Sequence, residues 1–303
     1  MPAHPVVVVG PVMHDVVAVA EHAVAYGSDT PARVSTRGGG AGANVAAWLA
    51  GTGTPTVLVA RVGADAAGDA EQAGLSGQGV TLRVTRDPGR PTGACVVLVS
   101  PDGQRTMLPD QGANAALAPT DVPEGEFRSG RHLHLSGYVL LDPGSREAGL
   151  HALALARDAE MTVSVDPASA APLSTVGAEA FLAWTTGADL LLPNEAETHV
   201  LAGTDDTDRA LATLAGTYGA VICTRGRRGA VWAAAGHAPV ARPADPVPVV
   251  DTTGAGDAFA AGTIAAWLTG SGPVDTLAAG CLLAARAVAR VGARPSTGHA
   301  PRP

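Results

Sequence analysis

Residues 249–262, "VVDTTGAGDAFAAG", set Asp257 directly after Gly254, Ala255 and Gly256, and then turn apolar. Beyond Gly256, Ala260, Ile264, Trp267 and Leu268 recur at helical spacing and stop at Gly270, so Gly254, Ala255, Gly256 and Asp257 fall at a helix N-terminus. Exposed amides there bind anions. The alternative is an Asp that merely caps the helix, which leaves Asp251, Thr252, Thr253 and the glycines without a task. One chemistry uses all of them. Phosphoryl transfer to an alcohol needs a carboxylate for the hydroxyl proton, fixed donors for the charge on the moving group, and a second substrate held in line.

A second glycine-rich segment, "RGGGAGANVAAWLAG" at 37–51, also runs into a helix, with Val45, Trp48 and Leu49 as its buried stripe and Gly51 at its end. Its glycines allow a backbone to approach a ligand, and Asn44 can aim an amide at it. A loop that only needs positive φ is the plainer alternative. Gly38, Gly40 and Ala43 also match G-x-G-x-x-A with Asp65 downstream, but they do not directly follow the first core strand, which makes a dinucleotide site a weak match. A P-loop requires a lysine, and the chain has none.

These segments need a scaffold. Strand-like runs at 6–10, 56–63, 132–137, 162–166, 189–194 and 220–226 are separated mostly by helical patterns, which predicts an α/β fold: a three-layer α/β/α sandwich on a mainly parallel sheet. Residues about 11–37 and 81–110 carry strand patterns without intervening helices, and are expected to form one small β-sheet lid inserted into a single domain spanning 1–303. Ligands of such sheets bind beyond the carboxyl ends of the strands, where His14, Asp15, Ser136, Tyr138, Asp166, Asn194, Thr224 and Arg225 collect.

Composition narrows the partners. The 303 residues are 46% hydrophobic but 3% aromatic, so Ala, Val and Leu must form the core. Twenty arginines face 28 acids for a net charge of −8, which argues against nucleic acid as the main partner. Cys95, Cys223 and Cys281 have neither zinc-ligand nor disulfide spacing. With no apolar run of membrane length and no cleavage pattern near "MPAHPVVVVG", the expectation is a cytoplasmic protein with free thiols.

The sequence resembles the ribokinase, or PfkB-type, carbohydrate kinase family over nearly its whole length. "DTTGAGDAFAAG" is similar to that family's C-terminal signature and "GGAGANVA" to its N-terminal one; "GPVMHD", "RVGADAAG", "GANAALAPTDV", "NEAE", "TRGRRG" and "VGARPS" follow in the family's order. The resemblance implies an ATP-dependent, Mg²⁺-requiring kinase acting on a primary hydroxyl of a small sugar or sugar derivative of the ribose, ketohexose or 2-keto-3-deoxygluconate type. Asp257 would be the base and the amides of Gly254, Ala255 and Gly256 the anion hole. Asp15, Gly39, Gly40 and Asn44 would hold sugar hydroxyls, and Thr224, Gly226 and Gly229 the nucleotide. Asn194 and Glu197 would lie near phosphate and Mg²⁺, Glu197 through water. Asp251, Thr253, Gly292 and Ser296 match positions that ligate K⁺ in members that bind it. Members often form homodimers through the lid.

Each residue also has a plainer reading. Asp15 can satisfy turn amides, Asn194 can cap a helix, and Glu197 can be solvated charge on an exposed helix face. His132 and His134 share a strand face, where a structural role outweighs a metal site. Leu277, Cys281, Ala284, Val288 and Val291 form one stripe, so Cys281 is expected in the core. Ribokinases read G-G-K-G-A-N-Q, whereas Ala41 and Val45 stand here at the Lys and Gln positions. Arg105 and Tyr138 resemble residues that sugar-acid and hexose kinases of the family use on their substrates. The alternatives are a nucleoside kinase of adenosine or pseudouridine type, and a non-catalytic sugar-binding regulator. The inserted segments hold a single aromatic, Tyr26, which disfavours stacking of a base.

Overall fold

Val6, Val7, Val8 and Val9 are all fully buried, as a central strand covered on both faces requires. The computed structural model that places them describes residues 5–101 and 105–295, with the Arg105 side chain outside that description. Its strands are β1 (Val6–Val9), β2 (Met13–Ala20), β3 (Ala32–Gly39), β4 (Thr56–Gly63), β5 (Thr81–Asp87), β6 (Gly93–Val99), β7 (Arg105–Asp110), β8 (His132–Ser136), β9 (Thr162–Asp166), β10 (Leu190–Leu191), β11 (Ala220–Thr224), β12 (Ala230–Ala233) and β13 (Val240–Arg242). Its helices are α1 (Ala41–Gly51), α2 (Ala66–Gly77), α3 (Tyr138–Leu141), α4 (Arg146–Asp158), α5 (Ala170–Val176), α6 (Ala178–Thr185), α7 (Glu195–Ala202), α8 (Thr207–Ala215), α9 (Ala255–Leu268) and α10 (Pro273–Val288).

The main sheet runs β13-β12-β11-β10-β9-β8-β1-β4-β5, parallel except for the antiparallel β12 and β13. Alternation along each strand splits the core in two. Val7, Val9, Leu133 and Leu135 pack with Leu153, Phe181 and Leu211 from α4, α6 and α8 on one face. Val6, Val8, Leu58 and Ile222 pack with Trp48, Ile264 and Leu277 from α1, α9 and α10 on the other. This is the expected three-layer sandwich, and it aims the N-termini of α1, α7 and α9 toward one edge.

A separate sheet of order β3-β2-β6-β7 forms the lid. Its second insertion is shorter than expected: β5 lies in the main sheet, parallel to β4, and the lid resumes only at Gly93. The reason is its edge position. Helix α2 is the crossover between β4 and β5, and a strand at the edge keeps a half-buried alternating pattern instead of a continuous apolar run. Val291, placed on the α10 stripe from sequence, lies past the helix end and is 51% exposed.

His132 and His134 are fully buried and face α9, with the His132 ring 5.8 Å from that of Trp267. His132 bonds Thr162 and Ser164 through its two nitrogens, both at 2.8 Å, and His134 bonds Ser164 at 2.9 Å. Their partners are hydroxyls, and no cluster of three His, Cys, Asp or Glu suited to a metal occurs among the described residues. Burial lowers their pKa values to about 3 and about 4, against an ordinary 6.5. The unfolded chain therefore takes up these protons first as pH falls below 6.5, and stability drops by about 1.4 kcal/mol per pH unit for each histidine until pH 3–4. The difference in urea-unfolding stability between wild type and a His132→Gln/His134→Gln variant at pH 7, 6 and 5 should show this slope, because the buried carboxyls Asp15, Asp166, Glu197 and Asp257, which shift stability the other way, are common to both. An equally steep slope in the variant contradicts the assignment.

Candidate active site

Gly254, with φ of 74°, takes the cap position of α9, and no side chain caps the helix. Asp257 is therefore not a cap. It stands in the first turn, where helix geometry leaves the Gly256 and Asp257 amides without a partner on their own helix, and the Ala255 amide makes only a 3.3 Å bond to the Thr252 carbonyl. Gly256 is exposed at this turn. Asp257 Oδ2 accepts a 2.8 Å hydrogen bond from Nδ2 of Asn44 on α1. Burial raises the Asp257 pKa to about 7; Asn44 and Arg294 oppose the shift, while Asp166 and Asp15 add to it.

Two cavities adjoin here at Gly256, and the smaller of them reaches this carboxylate. The smaller, about 150 Å³, is lined by Asp166, Asn194, Glu197, Gly254, Gly256 and Asp257 among others. The larger, about 790 Å³, carries Asn194, Thr224, Gly226 and Gly229 together with an apolar wall including Val247, Phe259, Ala284 and Val288. Asn194, Thr224, Gly256 and Phe259 line both. The α10 stripe is core as expected at Leu277 and Cys281, which is 5% exposed, and toward its C-terminal end it also forms the wall of this cavity through Cys281, Ala284 and Val288. Periodicity alone does not separate a core face from an apolar binding wall.

Asn194 does cap α7, accepting from the Glu197 amide at 2.9 Å while Glu197 Oε2 accepts from the Asn194 amide at 2.8 Å. Glu197 is not solvated charge on an exposed face, because it is 2% exposed and its carboxylate turns inward. Burial first, and then Asp166, push its pKa up; burial also raises Asp166. Asp166, at the end of β9, was the acid that strand-end position hinted at without giving it a role.

The residues expected to hold the acceptor lie close to one another as well. Asp15 is 7% exposed and raised to about 6 by burial, against the opposing Arg294 charge. A Cβ on Gly39 would overlap the Asp15 carboxylate, and one on Gly40 would lie 2.5 Å from the Pro11 carbonyl, so both glycines mark close approaches. Tyr138, at the start of α3, has its pKa raised to about 12 by burial and then by the charges of Asp166, Asp257 and Glu197, and it lines a separate small pocket with Gly10, Pro11 and Asn114. Arg105 opens β7 opposite Val99, well along the lid from the register position of Asp15 with Cys95. Asp251 accepts from the amides of Thr253 and Gly292 at 2.8 and 3.0 Å, drawing these segments together. Ser296 lies outside the described residues.

Gly39→Ala should raise the acceptor KM by about tenfold, roughly 1.4 kcal/mol, and leave the ATP KM within about twofold. Steady-state kinetics check this, and an unchanged acceptor KM contradicts the placement of Gly39.

Sequence reasoning gave no role to Glu71 and Arg294, which form a buried ion pair at 2.7 Å. Arg294 had appeared only as a letter of "VGARPS". Asn114 of "GANAALAPTDV" proves to be a clip, accepting from the Val12 amide at 3.0 Å and donating to the Val12 carbonyl at 2.9 Å. The glycines once compared with a dinucleotide fingerprint end a lid strand, a context in which that fingerprint does not work.

The pfkB family carbohydrate kinase model matches residues 3–299. Over 271 residues the chain is 34% identical to the ATP-dependent ribose-1-phosphate kinase of Halopiger xanaduensis, a match covering 84% of this chain and 82% of that one. The chain belongs to the pfkB family of carbohydrate kinases. This kinase is thus a phosphotransferase among the family's sugar and nucleoside kinases. Its fold is that of the adenosine kinase from Sinorhizobium meliloti, at 24% identity, a TM-score of 0.88, and coverage of 97% of this chain and 96% of that one. The ribokinase of Arabidopsis thaliana complexed with ribose and ATP is also similar, at 27% identity, a TM-score of 0.80, and coverage of 97% and 96%. No helix among the described residues is long and apolar enough to cross a membrane.

Proposed function

We propose that this kinase transfers the γ-phosphoryl group of ATP to a primary hydroxyl of a small sugar or sugar derivative. The observation that carries the reading is the position of Asp257, which lines the small cavity that adjoins a nucleotide-sized one at Gly256 and is bonded by Asn44 from the side of Asp15 and Gly39. In this reading the Asp257 carboxylate takes the hydroxyl proton as the oxygen attacks in line, and the α9 amides receive the charge of the transferring group. ATP places its base against the apolar wall of the large cavity and its phosphates toward Asn194, Thr224 and Gly256. The lid closes over the acceptor and excludes water.

The small cavity suits a hydrated divalent cation: Asp166, Asp257 and Glu197 are not close enough together to ligate one as a trio, but all three line it with their carboxyl groups pushed up, a field that positive charge relieves. Asp166 and Glu197 would hold Mg²⁺ through its water, and the ion would neutralise charge on the phosphates. Asp251, Thr253 and Gly292 are the residues proposed to hold K⁺, which a comparison of rates in potassium and sodium buffers tests.

The acceptor is inferred to be a small sugar because the strands of the lid hold no Phe, Tyr or Trp, and Tyr26 is fully exposed away from them. The named activity of the Halopiger xanaduensis relative adds ribose 1-phosphate to the candidates. ADP release should be measured across ribose, ribose 1-phosphate, fructose, 2-keto-3-deoxygluconate, adenosine and pseudouridine. A response to nucleosides alone overturns the acceptor assignment, and ligand binding without any ADP release supports the non-catalytic regulator instead. Val34, Val96 and Leu108 lie on the lid's outer face at 64%, 38% and 56% exposure, a surface that suits the proposed pairing of two lids.

A further inference from the structure

We propose that Arg294 is a positioning residue, whose guanidinium fixes the Asn44 amide and, through it, the carboxylate of Asp257. The inference rests on the kinase reading above and extends it to a residue that touches neither acceptor nor nucleotide in that reading. Arg294 is 9% exposed in its side chain and reaches three elements at once. Its Nε donates to Asn44 Oδ1 on α1 at 3.2 Å, its Nη2 donates to the Gly39 carbonyl on β3 at 2.6 Å, and its Nη1 pairs with Glu71 on α2 at 2.7 Å. Glu71 in turn holds His14 of β2 at 2.9 Å.

The aim of Arg294 is itself fixed. The preceding carbonyl, of Ala293, accepts from Trp48 Nε1 at 2.8 Å, and the Arg290 guanidinium lies 4.7 Å over the Trp48 ring. A rigid planar fork held this way leaves Asn44 one orientation. Its Oδ1 faces the cation and its Nδ2 donates to Asp257 Oδ2 at 2.8 Å. Without Arg294 the amide is free to turn over, which would set Oδ1 against the Asp257 carboxylate. The arrangement also has a consequence for specificity: one Nδ2 hydrogen remains, so the acceptor group beside Asn44 must present an oxygen lone pair. Because Gly39 and His14 belong to the lid strands, the same network ties lid position to the base.

The test uses Arg294→Gln, Arg294→Lys, Asn44→Ala and the Arg294→Gln/Asn44→Ala double variant, assayed by ADP release with the best acceptor. Arg294→Gln should lower kcat about 10–100-fold with the ATP KM within about twofold, the range expected when a reacting group is misplaced by an ångström or less. Arg294→Lys should recover part of the loss. The double variant should match Asn44→Ala within about threefold, because both changes remove one relay. Where Arg294→Gln does not fold, Glu71→Gln/Arg294→Gln, which removes both charges, carries the comparison. A kcat within twofold of wild type, or losses that multiply, overturns the proposal. A crystal structure of Arg294→Gln gives an answer independent of turnover: Asn44 Nδ2 should have left Asp257, and a retained contact of about 2.8 Å overturns the proposal. Wild-type protein inactive on every acceptor would instead overturn the kinase reading.

Discussion

Asp257→Asn is expected to lower kcat by about 10²–10⁴ while both KM values change by less than about threefold. The substitution keeps shape and leaves an oxygen for the Asn44 amide, so the 2.8 Å contact between the two side chains survives and the loss reports the missing base. The pH dependence should move with it. Burial holds the Asp257 carboxyl at about 7, so wild-type kcat/KM should fall about tenfold per pH unit below that value, where the protonated form takes over. The residual activity of Asp257→Asn should lack this limb. Stability should shift the other way. A carboxyl whose folded pKa lies above its unfolded 3.8 costs the native state most above pH 7 and nothing below both values. Asp257→Asn should therefore melt higher than wild type at pH 8, with the gap closing toward pH 4. Calorimetry checks this, and a lower melting temperature at pH 8 would show that the carboxylate is a structural partner.

Gly254→Ala is expected to be nearly as damaging, by a different route. A Cβ at this position would lie 2.6 Å from the Ala293 carbonyl oxygen and 2.7 Å from its Cα, on a backbone of φ 74°. The left-handed conformation alone costs about 1–2 kcal/mol, and the clash displaces the carbonyl that anchors Trp48. The first turn of α9 must then shift, and with it the amides assigned to the transferring group. A loss of about 10²–10³ in kcat is expected, the size found when one preorganised donor is removed. Gly256→Ala is the control for folding, since a Cβ there meets nothing within 4 Å. It should keep the wild-type melting temperature, whereas Gly254→Ala should melt several degrees lower. Normal kcat in Gly254→Ala would remove the α9 amides from the mechanism.

What the chain's letters revealed follows from the range of each interaction. The strand runs and the two helices entered through glycine were legible because β-branched clustering and helical periodicity are local, and β1, β4, β8, β9 and β11 lie where those patterns put them. β5 was misplaced because an edge strand and a lid strand share the same half-buried alternation. The α10 stripe is core at Leu277 and Cys281, as read, but its cavity-facing end at Ala284 and Val288 was not foreseen, because apolar spacing does not say whether a cavity or another helix covers it. Asp257 was left between cap and base in sequence, and only the positive φ of Gly254 decides that the cap position belongs to the glycine. Glu197 was separable from plain surface charge only once its reciprocal bonds with Asn194 and its burial were seen. Arg294 and Glu71 were out of reach for a simpler reason. Their partners sit on β2, β3, α1 and α2, and no local pattern announces an ion pair assembled from opposite ends of the chain.

The central claim is transfer of a phosphoryl group to a sugar hydroxyl at Asp257. Incubation with γ-labelled ATP and the acceptor panel, followed by separation of the products, tests it most directly. The label is expected in a phosphomonoester of one small sugar, in amounts equal to the ADP formed, with Asp257→Asn reducing both together. ATP bound and retained with no label in any acceptor, or label transferred equally well by Asp257→Asn, would contradict it.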